Sequence, residues 1–160
     1  MCIRDSMYWW EWAVRYNGET HWGSEFDVLR YRARSRTAYW IMSNGEVMVR
    51  IRAMAKEPNR IYIRYYIRPL ERGLGDIIFY QGADFDIDDT LTGDQAFYEK
   101  GVTYALGEDG TYIGFRFLRN RHPVWHLDYY EDMWDAIDEG QFNNAIYSNC
   151  LLYTSPSPRD

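Results

Sequence analysis

The chain has little cysteine and no long apolar run. Its two cysteines, Cys2 and Cys150, lie near the two ends, and residues 7–149 contain none. This stretch therefore has no disulfide framework, no cysteine metal site and no thiol nucleophile. A helix that crosses a bilayer needs about 20 mostly apolar residues, and no such run occurs between residues 7 and 149. We expect no membrane span in this segment.

Both ends of the chain can be encoded by one short DNA element read in opposite directions. Residues 1–6, Met-Cys-Ile-Arg-Asp-Ser, back-translate as ATG TGT ATA AGA GAC AG. The reverse complement contains TGT CTC TTA TAC ACA, which encodes Cys-Leu-Leu-Tyr-Thr, the sequence that begins at Cys150. The element resembles a transposase adapter used to build sequencing libraries. We therefore expect residues 1–6 and 150–160 to be adapter-derived tails, and residues 7–149 to be one domain, a metagenomic fragment of a longer parent chain.

The chain is mildly acidic and rich in aromatic residues. Its formal net charge is −6, whereas general nucleic-acid binders usually carry a clustered basic face. We expect no nucleic-acid partner on this ground. Aromatic residues make up 18% of the chain, a content that disordered segments lack. Because Tyr, Trp and Phe favour strands, the segment is expected to fold mainly as β-structure.

Alternating apolar and polar residues predict an all-β fold. Val47, Val49 and Ile51 fall on one side of a strand and Arg50 and Arg52 on the other, as in an antiparallel sheet with one wet face. The Asn-Gly pair at residues 44–45, between two such runs, is a strong hairpin signal. Strands are predicted over residues 8–16, 25–32, 37–42, 46–54, 60–68, 76–81, 102–106 and 111–118. Short strands at this spacing predict an antiparallel β-sandwich.

One short helix is predicted near the C-terminus, over residues 131–139. Met133, Trp134 and Ile137 share one face, acidic residues occupy the first turn, and Gly140 suits the C-terminal cap. The helix has only about two turns, so it requires tertiary packing to form.

The acidic stretch that begins at residue 84 is a candidate calcium site. Alternating aspartates can direct several hard oxygens at one cation, which is the coordination that Ca²⁺ prefers. The stretch is not an EF-hand loop, because Asp89 stands where that loop requires Gly and Gln95 where it requires Glu. A solvated loop with Asx turns is the alternative, and the expected cofactor is then none. The candidate ligands are Asp84, Asp86, Asp88, Asp89 and Asp94.

Tryptophans in the N-terminal part are candidate ligand-binding residues. Exposed aromatic rings can form a platform for sugar rings, but most tryptophan area in proteins is used in packing. We favour packing, because exposed aromatic patches are uncommon on monomers. The candidates are Trp9, Trp10, Trp12 and Trp22, of which Trp9 and Trp10 are adjacent and must point to opposite faces of a strand.

Arginines recur on the predicted strand faces. They suggest a groove for anions such as nucleic acid or sulfated glycan. The alternative is an ordinary solvated sheet face whose arginines pair with acids elsewhere, and the sequence favours that alternative. The residues are Arg50, Arg52, Arg60, Arg64 and Arg68.

The order of several segments carries a family resemblance. Residues 76–87, 111–115, 133–137 and 140–144 together resemble the supersandwich modules, β-sandwiches of prokaryotic secreted and cell-surface proteins that occur beside carbohydrate-active domains. The resemblance implies fold more than function, and it includes no catalytic motif.

The resemblance sets the functional expectation. We expect a non-catalytic β-sandwich module of a larger secreted or cell-surface protein, located outside the cell, that contacts glycans and the rest of its parent chain. A fragment or accessory domain of a carbohydrate-active enzyme is one alternative, and a viral or phage structural protein is another. No catalytic residue is assigned.

Overall fold

A computed structural model shows an all-β chain with one helix near the C-terminus, as the sequence predicts. It describes residues 9–84, 95–107, 110–116, 118, 126–127, 130–142 and 145–146. Antiparallel sheets dominate these residues, and the architecture is compatible with the predicted β-sandwich.

The described residues form four sheets, with strand orders β2–β1–β7, β3–β4–β5–β6, β10–β9–β8 and β11–β12. The β11–β12 pair is parallel, whereas β1–β2 and the ladders of β3–β6 and β8–β10 are antiparallel. The single helix, α1, spans Tyr130–Glu139. The strands are β1 (Trp9–Tyr16), β2 (Glu19–Trp22), β3 (Asp27–Arg34), β4 (Thr37–Ser43), β5 (Val47–Glu57), β6 (Arg60–Pro69), β7 (Ile78–Asp84), β8 (Gln95–Glu99), β9 (Val102–Leu106), β10 (Tyr112–Arg116), β11 (His126–Leu127) and β12 (Ala145–Ile146).

The chain forms two compact units. The first unit is Ala13–Phe79, and the second combines Met1–Trp12 with Tyr80–Asp160. The boundaries of a single domain at residues 7–149 stay a prediction. The buried apolar residues of the first unit are Ala13, Val14, Tyr16, Trp22, Phe26, Val47, Val49, Ile51 and Leu74.

The long hairpin of β5 and β6 follows the alternation of the sequence closely. Val47 and Val49 are fully buried, and Ile51 is nearly so. Arg50 and Arg52, which alternate with them, are exposed. The predicted strand with one wet face is therefore confirmed, and it extends three residues beyond its predicted end.

A β-bulge decides which side of the sheet the β3 side chains occupy. Val28 lies opposite Met42, but Arg30 lies opposite Ile41, so Leu29 is an extra residue in β3. Side chains alternate between faces along a strand, so one inserted residue sends all later side chains to the other face. The arginines placed by this shift are Arg30, Arg32 and Arg34.

The hairpin predicted at residues 44–45 forms, and Asn44 organises it. The Asn44 Oδ1 atom accepts hydrogen bonds from the backbone N–H groups of Glu46 (3.2 Å) and Val47 (3.0 Å). Its Nδ2 donates to the Tyr16 hydroxyl at 2.9 Å. Gly45 takes φ +98°, a left-handed conformation that glycine adopts without steric cost. The turn residue thus ties the β4–β5 hairpin to the end of β1.

Four strands of the described residues were not predicted: β2, β8 and the two-residue strands β11 and β12. The four residues of β2, Glu-Thr-His-Trp, lack an alternating apolar pattern, but they pair with Ala13–Tyr16 after a turn at Asn17 and Gly18. Both turn residues have positive φ, 52° and 84°, as a type I′ hairpin turn requires. Another missed strand, β8, directly follows the acidic stretch and pairs with β9. The short strands β11 and β12 pair with each other. The predicted strand at residues 25–32 begins later, because Gly23–Glu25 forms a 3-10 turn.

The helix of the second unit ends as the sequence predicts. Ile137 and Ala136 are buried, 1% and 8% exposed. The N–H of Gly140 donates to the Ile137 carbonyl (3.1 Å), and the N–H of Gln141 donates to the Ala136 carbonyl (2.8 Å). With Gly140 at φ 72°, this is a Schellman motif, which satisfies the carbonyls left free at the end of a helix.

Two tyrosines with raised pKa values predict a loss of stability at high pH. Burial, and then a hydrogen bond to Glu46, raises the pKa of Tyr16 to about 12, and burial also raises the pKa of Tyr65. A raised folded-state pKa means that the contribution of the neutral phenol is complete below pH 10 and is lost as the pH rises from about 10 through about 12. We expect the urea midpoint to stay level from pH 7 to 9 and to fall above pH 10.

Tyr16→Phe is the matched control for this pH dependence. Phenylalanine cannot ionise, so the urea midpoint of the variant should fall less steeply above pH 10 than that of the parent protein. The fall that remains should reflect the ionisation of Tyr65. An equally steep fall of the urea midpoint in the parent and the variant would contradict an ionisation of Tyr16 between about pH 10 and 12.

Candidate anion-binding face

One face of the β3–β6 sheet gathers arginine and tyrosine side chains. Residues directly opposite each other in an antiparallel ladder have side chains on the same face, so the observed register assigns this face without ambiguity. We call it the arginine face, and it consists of Arg30, Arg32, Arg34, Tyr39, Arg50, Arg52, Tyr62, Arg64, Tyr66 and Arg68, with Asp27, Thr37, Ile41, Ser43, Met48 and Met54 between them and with Glu57 and Arg60 at the hairpin end.

The arginine face is ordered in cross-strand rows. One row runs Arg32, Tyr39, Arg52, Arg64 from β3 to β6, and the next runs Arg30, Ile41, Arg50, Tyr66. Neighbouring strands lie about 4.8 Å apart and alternate residues along a strand about 6.8 Å apart. Arginine and tyrosine side chains therefore alternate across the face, and the strand and residue spacings of the sheet set the distances between them.

The positive charge of the arginine face is not neutralised by the carboxylates that the structure describes. Acids of this sheet stand only at its margins: Asp27 begins β3, and Glu57 lies at the tip of the β5–β6 hairpin. Glu57 pairs with Arg60 at 3.2 Å, which places Arg60 at the tip. Arg52 lies directly opposite Arg64, an arrangement of like charges that costs stability. Of the arginines that the sequence analysis named, Arg60 therefore pairs with an acidic residue. The other four, Arg50, Arg52, Arg64 and Arg68, form no ion pair with the residues that the structure describes.

The tyrosines of the arginine face contact its cations. The Arg64 guanidinium lies 6.0 Å from the centroid of the Tyr66 ring, and its Nη1 donates to the Tyr66 hydroxyl at 3.2 Å. The Lys56 ammonium lies 5.3 Å from the centroid of the Tyr62 ring. Cations within about 6 Å of an aromatic face are attracted to it. The rings therefore help to hold positive side chains against the sheet.

An open cleft of about 440 Å³ lies on the arginine face, within the first unit. The lining residues come from three adjacent strands and are Tyr39, Arg50, Arg52, Tyr66, Ile67 and Arg68. The cleft thus combines several guanidinium groups with two phenol rings.

The tryptophans selected from the sequence are not brought together as an exposed platform by the described residues. Trp12 and Trp22 are buried, 8% and 7% exposed, so their rings offer little area to a ligand. Trp9 and Trp10 lie in β1, and their side chains fall outside the described residues. The nearby His21 ring stacks on Tyr16, with centroids 4.4 Å apart.

The candidate calcium ligands lie largely outside the described residues. Asp84 ends β7, but its side chain is not described, nor are Asp86, Asp88, Asp89 and Asp94. Among the residues that are described, no group of three or more His, Cys, Asp or Glu side chains is placed to hold a metal ion. Calcium binding by the acidic stretch stays a prediction.

Sequence reasoning found part of the arginine face and missed the rest. Arg50, Arg52, Arg64 and Arg68 were recognised from the alternation of β5 and β6. The β3 arginines were missed, because a bulge leaves no clear mark in a single sequence. Tyr39 and Tyr66 were missed because aromatic residues alternate with polar ones in any strand, and only the register shows which of them stand beside arginine.

Comparisons with known proteins add no family. No protein-family model, no curated protein and no solved structure matches the chain. Within the described part of the chain, no helix has the length and apolar character needed to cross a membrane. The arginine face is therefore the feature of this chain that points to a function.

Proposed function

We propose that this chain is a non-catalytic binding module of a larger secreted or cell-surface protein, and that its arginine face binds an acidic glycan. The observation that supports the proposal is the interleaving of arginines with tyrosines around an open cleft, where Arg50, Arg52 and Arg68 form no ion pair with any described residue. Arginine presents a planar fork of donors that matches carboxylate and sulfate-like oxyanions. Tyrosine presents an apolar ring and a hydroxyl, which suit the ring and the hydroxyl groups of a sugar.

The charge distribution favours a glycan over a nucleic acid. The chain carries a net charge of −6 in spite of the arginine face, so acidic residues outnumber basic ones in the rest of the sequence. A nucleic-acid strand carries a phosphate at every nucleotide, and this dense negative charge is repelled by a chain of net negative charge. A glycan with one acidic group per sugar or per disaccharide has fewer charges to be repelled.

Charge removal within one row of the arginine face tests the proposal. The double variant Arg52→Gln/Arg64→Gln is expected to weaken binding to dextran sulfate by about tenfold or more, because charge-assisted hydrogen bonds contribute roughly 1.5–3 kcal/mol each. Since the two arginines oppose each other across the ladder, the variant should be at least as stable as the parent. Binding is measured by calorimetry at several salt concentrations, with a thermal melt of each protein.

The double variant Arg60→Gln/Arg72→Gln removes the same charge from residues that do not line the cleft and serves as the control. We expect it to bind nearly as well as the parent, and we expect uncharged dextran not to bind. Equal losses in the two double variants would show that only total charge matters. Tighter binding to a single-stranded oligo(dT) than to dextran sulfate or polygalacturonate would contradict a glycan ligand.

A further inference from the structure

Building on the proposed function, we infer that the cleft on the arginine face is a defined subsite for one carboxylate or sulfate group of the glycan and the sugar ring that carries it. The proposed subsite has a defined shape as well as a positive charge. A diffuse basic surface would bind any arrangement of anions, whereas a subsite requires particular side chains in particular directions.

The cleft contains the guanidinium groups that such a subsite needs. Arg50 and Arg52 project from the central strand β5, and Arg68 projects from β6. All three are exposed, and within the described residues none forms an ion pair. A guanidinium can donate two parallel hydrogen bonds to one oxyanion, which gives geometric specificity in addition to attraction. A lysine ammonium at the same place would supply charge without that geometry.

Two tyrosines stand on either side of the β5 arginines. Tyr39 belongs to β4 and lies opposite Arg52, while Tyr66 belongs to β6 and lies opposite Arg50. Tyr66 is 53% exposed, so much of its surface is open to a ligand. A sugar ring seated over β5 would place its acidic group among the arginines and its carbon–hydrogen face against a phenol ring.

The Tyr66 hydroxyl keeps its proton for the ligand. It accepts a hydrogen bond from Arg64 Nη1 at 3.2 Å, and a phenol has a single proton, which this contact does not use. That proton can be donated to a sugar oxygen in the cleft. Arg64 therefore contributes by orienting Tyr66, in addition to its own charge.

The test keeps every charge and changes only the geometry. The probes are trigalacturonate for the carboxylate, sulfated maltotriose for the sulfate, and unmodified maltotriose as the neutral control, each measured by calorimetry. We expect at least one acidic probe to bind and the neutral probe not to bind. Arg50→Lys/Arg68→Lys should weaken the acidic probe by about tenfold or more, because lysine cannot form the bidentate contact. Tyr66→Phe should weaken it several-fold through loss of one hydrogen bond.

Arg60→Lys is the matched control, because Arg60 pairs with Glu57 at the hairpin tip, and it should leave probe binding unchanged. If dextran sulfate binds but neither acidic trisaccharide does, or if the lysine variant binds as well as the parent, the subsite is wrong and the proposed function stands. If neither the polymer nor the trisaccharides bind, both are wrong. Thermal melts of the variants separate loss of binding from loss of fold.

Discussion

Replacing Ile137 by alanine is expected to lower the free energy of unfolding of the second unit by about 2–4 kcal/mol. Ile137 is 1% exposed, so the substitution loses the transfer free energy of the removed carbon atoms and leaves a cavity that the surroundings fill only in part. The helix that carries it, Tyr130–Glu139, is short. A helix of this length is marginal in water and depends on its buried side chains. Urea denaturation followed by far-UV circular dichroism and tryptophan fluorescence measures the loss.

A neighbouring exposed position supplies the control for this substitution. Glu139→Ala lies in the last turn of the same helix, where a carboxylate interacts unfavourably with the helix dipole. Its effect on the free energy of unfolding should stay within about 0.5 kcal/mol. A loss below about 1 kcal/mol for Ile137→Ala would show that the helix packs more loosely than its burial indicates.

Replacing Asn44 by alanine is expected to lower the free energy of unfolding of the first unit by about 2–3 kcal/mol, because it removes three hydrogen bonds of roughly 1 kcal/mol each. The side chain accepts from the backbone N–H groups of Glu46 and Val47, and donates to the Tyr16 hydroxyl. The first two contacts hold the hairpin turn, and the third ties the turn to β1. The loss is measured by urea denaturation at pH 7.

Two conservative variants separate these contributions. Asn44→Asp keeps an oxygen acceptor for the turn but loses the donor to Tyr16, so its loss should be smaller than that of alanine. Tyr16→Phe removes the other partner of the same contact. A double-mutant cycle between Asn44→Ala and Tyr16→Phe should show coupling of about 0.5 kcal/mol or more, as contacting residues do. Additive losses would mean that the 2.9 Å contact contributes little in solution.

The hairpin at Asn44 also matters for the arginine face. It sets the register of β4 against β5, in which Tyr39 lies opposite Arg52. A slip of one residue would turn the side chains of β5 over and send Arg50 and Arg52 to the apolar side. Burial of Val47 and Val49 on that side opposes the slip. The hydrogen bonds of the hairpin turn and the burial of the two valines therefore both keep Arg50 and Arg52 on the arginine face.

Much of the local structure followed from the sequence. The alternation in Val47–Glu57 and Arg60–Pro69 predicted both strands and their exposed arginines, because a side-chain period of two is what a half-buried strand requires. Gly140 and the apolar spacing before it predicted the helix and its end. The strands that were not predicted, β2, β8, β11 and β12, form by pairing with a neighbouring strand, and their own residue patterns do not show that pairing.

The arginine face was also predictable from the sequence only in part. The sequence by itself determined that arginines and apolar residues alternate, so that any sheet formed from these strands would have a cationic side. Only the tertiary structure decided which strands are neighbours, in what register, and on which side the β3 arginines lie. The extra residue Leu29 moves the later β3 side chains to the other side of the sheet. The position of this bulge depends on how β3 pairs with β4. The cleft between Tyr39 and Tyr66 exists because three strands align at those residues, and alignment is a property of the sheet and not of any one strand.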